Sequence, residues 1–196
     1  MTIKRAYSIA ASLCAAMFLS GCFVVTNNLP AGSGSINDDR LVGDWRGLDN
    51  GDGKDADVYI HFQKPDPNKP LRVVWVEDRS YQIYELTTMH IGAKDVFAAK
   101  LIGPQEASKD IPNGYFVGFY EVKGNEAVFH LLDADKVGEL IGRGVVKGIK
   151  PPAKYDMATL TGSPTDLARF LGSPEAAAAV ADEPARLRRL PPAAHK

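Results

Sequence analysis

The chain has 196 residues, a formal net charge of -1 and only two cysteines. Such balanced charge leaves no electrostatic footprint for nucleic acid, and the chain contains neither Gly-x-Gly-x-x-Gly nor a Lys-Ser/Thr phosphate loop, so nucleotide cradles are excluded as well. The stretch between its apolar N-terminus and its Pro-rich C-terminus fits one domain with a real core and leaves little room for two.

Lys4 and Arg5 precede a mostly apolar run over residues 6–20. A positive segment followed by an apolar one is the secretory layout, and the run falls short of the roughly 20 apolar residues that span a bilayer. It ends in Leu19-Ser20-Gly21-Cys22, which resembles the lipobox of bacterial lipoproteins. That resemblance implies a signal peptide over residues 1–21, cleavage before Cys22, lipidation of Cys22 and a membrane as partner. In enterobacterial members of that family an Asp after the cysteine retains the protein in the inner membrane, so the resemblance, with Phe23 in that place, implies the outer membrane with the body facing the periplasm. Cleavage removes Lys4 and Arg5, taking the charge from -1 to -3, and removes Cys14. Cys22 is then the sole cysteine and carries lipid, which excludes a disulfide, a thiol nucleophile and zinc held by cysteines.

Residues 22–40, with Pro30 and Ala31-Gly32-Ser33-Gly34-Ser35, read as a flexible tether. A β-rich domain is expected over residues 41–181. Its first strand covers residues 41–46, and Asn50-Gly51 and Asp52-Gly53 turn it into a hairpin. Residues 57–63 alternate, with Val58, Ile60 and Phe62 on the inner side and Asp57, Tyr59, His61 and Gln63 on the outer. Pro65 and Pro67 break that strand, and residues 71–76, 81–89, 95–102, 115–122 and 126–132 continue the pattern between short turns. Seven strands at regular intervals predict a single antiparallel meander, as a β-barrel or strongly bent sheet, since closure removes exposed edges.

The period then changes. Val137, Leu140, Ile141 and Val145 recur at helical spacing, predicting an amphipathic helix near 135–147 that Gly138, Gly142 and Gly144 weaken. Residues 155–161 supply an eighth strand, and Ser163-Pro164-Thr165-Asp166 opens a helix with a capping serine and an early proline, its stripe being Leu167, Phe170 and Leu171. Ser173-Pro174-Glu175 opens another, and residues 182–196 read as a disordered tail. The fold class is thus mainly β with C-terminal helices.

Gly43-Asp44-Trp45 at the first strand, the eight-strand count and the C-terminal helix resemble lipocalin-type, or calycin, barrels. In that family the Trp closes one end and the interior holds small hydrophobic ligands, so Gly43 and Trp45 imply a closed end and an apolar interior. The chain departs from the family in lacking a Thr-Asp-Tyr-type second motif, in having no arginine at the end of the last candidate strand, and in its helical insertion near 134–147.

The chemistry of the remaining residues points away from catalysis. His61, His90 and His130 lie on separate strands without metal-binding spacing. Asp49, Asp52, Asp55 and Asp57 lack the phase of a calcium loop, and Ser108, Ser163 and Ser173 sit in loops or caps without a nucleophile elbow. No catalytic residue, metal or other cofactor is expected. Tyr115, Phe116, Phe119 and Tyr120 form the exception among aromatics destined for a core, because a strand with one buried face needs apolar groups only at alternate positions. Their strand is either the working surface for a small apolar ligand or an envelope protein, or is covered on its second face by Leu167, Phe170 and Leu171. The expectation is a non-catalytic binding or accessory module, with a structural or protein-interaction lipoprotein of filled core as the alternative.

Overall fold

The computed structural model describes residues 23–34, 36–51, 53–104, 113–150 and 157–192. The leader and Cys22 therefore lie outside the described residues. The strands are β1 (Phe23–Thr26), β2 (Gly43–Leu48), β3 (Asp55–Gln63), β4 (Leu71–Glu77), β5 (Ser80–Ile91), β6 (Lys94–Gly103), β7 (Tyr115–Lys123), β8 (Glu126–Leu131), β9 (Gly148–Ile149), β10 (Met157–Leu160) and β11 (Ala185–Arg189). The helices are α1 (Ala134–Gly142), α2 (Pro164–Gly172) and α3 (Pro174–Ala178).

Strands β2 to β8 pair in sequence as an antiparallel meander, and β11 runs between β8 and β2 to complete a closed barrel of eight strands. The expected fold class is borne out. In β3 the alternation holds residue by residue, with Val58, Ile60 and Phe62 buried and Asp57, Tyr59, His61 and Gln63 exposed.

The identity of the closing strand is a correction. Residues 157–160 do form a strand, but β10 pairs in parallel with β1 outside the barrel. The eighth barrel strand comes from the tail expected to be disordered. Its sequence, Ala-Arg-Leu-Arg-Arg, looks polar because only alternate residues face inward: Leu187 is 3% exposed, while Arg186 and Arg188 face solvent.

The last barrel strand consequently does end in an arginine. The Arg189 guanidinium lies 4.2 Å from the centre of the buried Trp45 ring and donates to the carbonyls of Val42, at 2.5 Å, and Arg40. Trp45 in turn donates its indole N–H to the Leu41 carbonyl at 2.6 Å. Cation, ring and backbone together seal this end of the barrel.

The expected tether is also corrected, since much of it is packed. Val24 and Val25 are buried in β1, which pairs with the start of β7. The glycines that suggested flexibility serve close approach: a Cβ on Gly32 would sit 2.6 Å from the Met89 side chain, and Gly34, at φ +90°, passes over the His90 ring. Asn37 is buried and donates to the carbonyls of Pro67 and Lys69 at 2.8 and 2.7 Å.

Two cores result, one on each side of the same barrel wall. Inside lie Trp45, Ile60, Phe62, Val73, Tyr84, Leu86, Phe97, Phe116, Tyr120 and Leu187. Outside, Met89, Ile91, Val96, Ala98 and Val117 pack against a layer carrying Val24, Leu140, Leu160, Leu167, Phe170 and Leu171. Helix α1 stops at Gly142, short of the expected 147, and Gly144 continues the turn at φ +74°. Asp133, Ser163 and Ser173 cap the three helices, each side chain accepting a backbone N–H.

Candidate functional site

An aromatic cluster occupies the barrel interior: Phe129 stacks with Phe62 and Tyr120, with ring centres 6.1 and 5.8 Å apart, and meets Phe97 edge-on at 5.3 Å. Against it a wholly apolar cavity of about 70 Å³ remains, walled by Phe62, Phe97 and Phe129 of that cluster and by residues including Trp75, Tyr84, Ala99, Phe116 and Leu131. Two of its wall residues carry polar tips: Trp75 donates to the Glu77 carboxylate at 3.3 Å and Tyr84 donates to the Gln82 side chain at 2.5 Å. Burial pushes the Tyr84 phenol well above its ordinary range, so it stays a neutral donor. Among the described residues that line this chamber, none offers a nucleophile or an acid–base pair.

The four aromatics singled out in the sequence do not share a surface. Phe116 and Tyr120 point into the barrel, both 2% exposed, whereas Tyr115 and Phe119 point outward against the helical layer. The second face of β7 is therefore covered by the outer core, to which Leu167, Phe170 and Leu171 also belong. Of the four, only Phe116 lines the cavity. The cavity residues Trp75, Tyr84, Ala99 and Leu131 were not singled out because on their strands they read as ordinary alternate apolar positions.

Tyr120 belongs to a polar cluster near the sealed end. Its hydroxyl donates to Asp38 at 2.8 Å, and Arg40 bridges Asp38 and Asp95 at 2.7 Å each. His90 meets Asp95 at 2.7 Å. Burial alone would raise the Asp38 carboxyl, but hydrogen bonds from the Arg40 side chain and backbone and from Tyr120 outweigh it and hold the group below the usual carboxylate range. Burial and, next, the bond to Asp38 push the Tyr120 phenol up. Every acid of this cluster has a cationic or hydrogen-bonding partner, so the geometry suits a clasp between residues 37–40 and the barrel.

His61 is exposed and pairs with Asp44 at 2.7 Å, on the outer side assigned to it. Among the described residues no three His, Cys, Asp or Glu side chains converge as a metal site. An exposed apolar row does exist on the outer wall: Tyr59 faces Val76 across the ladder and Val76 faces Tyr81, which is 51% exposed. The Arg46 guanidinium lies 4.6 Å from the Tyr59 ring centre. Comparison with protein-family models, curated proteins and solved structures finds no match for this chain.

Proposed function

We propose that the protein is a lipid-anchored envelope lipoprotein of the outer membrane, acylated at Cys22, whose barrel acts as a non-catalytic binding module for a small apolar ligand. The observation that carries the binding reading is the wholly apolar cavity beside Trp75 and Phe116. Its volume of about 70 Å³ is well under the 300–1,000 Å³ of drug-sized sites, which limits the ligand to a short alkyl segment or one small ring. The end capped by Trp45 and Arg189, with Gly43 beside them, supports kinship with lipocalin-like barrels.

A titration with hexanol or toluene, followed through Trp75 emission in a Trp45→Phe background, tests this. Saturable change is expected, and Ala99→Leu, which fills the cavity, should remove it without lowering the melting temperature. Equal response in the filled variant would move the ligand elsewhere. No response in either would favour the second reading, a structural or protein-interaction lipoprotein with a filled core, which the exposed row Tyr59, Val76 and Tyr81 supports.

A further inference from the structure

Cys22 is bonded to Phe23, the first residue of β1, so an acyl anchor there has no spacer before the folded body. β1 pairs with β10 and β10 with β9, putting β9 two strands away, about 10 Å at the usual strand spacing. β9 ends the row of paired strands on this side, and with the turn before it carries a distinctive surface. Ile149 is 62% exposed and Val145 is 42% exposed, and Arg143, Lys147 and Lys150 are exposed between and beside them. No acid occurs between Glu139 and Asp156. Asp166 is within electrostatic reach of Lys147, but its carboxylate is already bonded to Ser163 and Arg169 at 2.8 Å each.

Cations interleaved with exposed aliphatic side chains are what an anionic lipid surface receives: the ammonium and guanidinium groups meet phosphates while the aliphatics enter the headgroup boundary. A two-residue edge flanked by lysines is a poor template for strand addition by a second copy. We infer that the surface formed by Arg143, Val145, Lys147, Ile149 and Lys150 docks on anionic phospholipid beside the anchor, laying the barrel against the bilayer. This orientation rests on acylation of Cys22, which it supplements as a second membrane signal.

Amine acetylation of the full-length protein, reconstituted in vesicles and read by mass spectrometry, tests the docking. In vesicles with about 30 mol % phosphatidylglycerol, Lys147 and Lys150 should react about tenfold more slowly than in pure phosphatidylcholine, with Lys123 unchanged. Val145→Ser with Ile149→Ser should weaken that protection, and high salt should release it. Equal rates in the two vesicles would overturn the inference, as would protection that follows protein concentration instead of lipid charge, the mark of a second copy. The mass of the Cys22 peptide in the same digest reports acylation separately, so loss of the anchor and loss of the docking surface are told apart.

Discussion

Truncating Leu187 to Ala puts the closure of the barrel to a quantitative test. Leu187 is 3% exposed and stands on the one strand that joins β8 to β2, with its side chain on the wall of the apolar cavity. Three carbons leave the core, worth about 2.4 kcal/mol at about 0.8 kcal/mol each. The space they vacate merges with a void of about 70 Å³ that the surrounding rings have not collapsed to fill, so a cavity penalty adds to the transfer loss. Together these give about 3–4 kcal/mol, inside the range for buried leucines. For a domain of this size that lowers the melting temperature by roughly 6–16 °C. Urea and thermal melts followed by near-ultraviolet circular dichroism measure it, with Arg186→Ala, one residue away and exposed, expected within about 0.5 kcal/mol of the parent. If Leu187→Ala is as silent as Arg186→Ala, the tail is not a barrel strand and the closure described above is wrong.

Other outcomes follow from the same packing. Ile60→Asp should abolish the native near-ultraviolet signal, because an unpaired carboxylate would be placed among Trp45 and Phe62, whereas Gln63→Asp on the exposed side should leave it intact; equal tolerance would mean the phase of β3 is inverted. Gly118→Ala should destabilise by about 2 kcal/mol or more, since its methyl would press on the His130 carbonyl and lie 2.8 Å from the Phe97 ring, and a melting temperature equal to the parent's would contradict that contact. Tyr120→Ala should cost about 3–5 kcal/mol of unfolding free energy, as a buried aromatic does; a loss under 0.5 kcal/mol would return Tyr120 to the surface. The lowered Asp38 carboxyl contributes stability that is present above its unfolded value of about 3.9 and is lost as pH falls through its folded value. The gap in melting temperature between the parent and Asp38→Asn should therefore narrow below about pH 4, and a gap constant from pH 7 to pH 3 would refute the clasp.

The meander was legible because each of its strands buries one face, so the period-two signal survives in sequence, as Val58, Ile60 and Phe62 demonstrate. The helix starts were legible because Ser163 and Ser173 are local chemistry. What escaped depends on partners distant in the chain. β11 has a single large apolar inward side chain, and its two outward arginines mimic a solvated tail. The glycines before residue 40 look like a linker unless one knows that Met89 and His90 lie beneath them. The cavity was foreshadowed only as an apolar interior, and the strand picked for its aromatics proved to divide them between two cores, a distinction that needs the outer layer in place.

Because β11 docks between β8 and β2, the two halves of the seam come from opposite ends of the domain. A chain emerging from its N-terminus can pair β2 through β8 one hairpin at a time, but both margins of that sheet stay bare until the final strand arrives. Closure is then the least local pairing of the barrel, and its loop-closure entropy falls on five residues. A protein cut short before Ala185, so without its last twelve residues, would expose two unpaired strand margins, the template on which neighbouring chains add to one another.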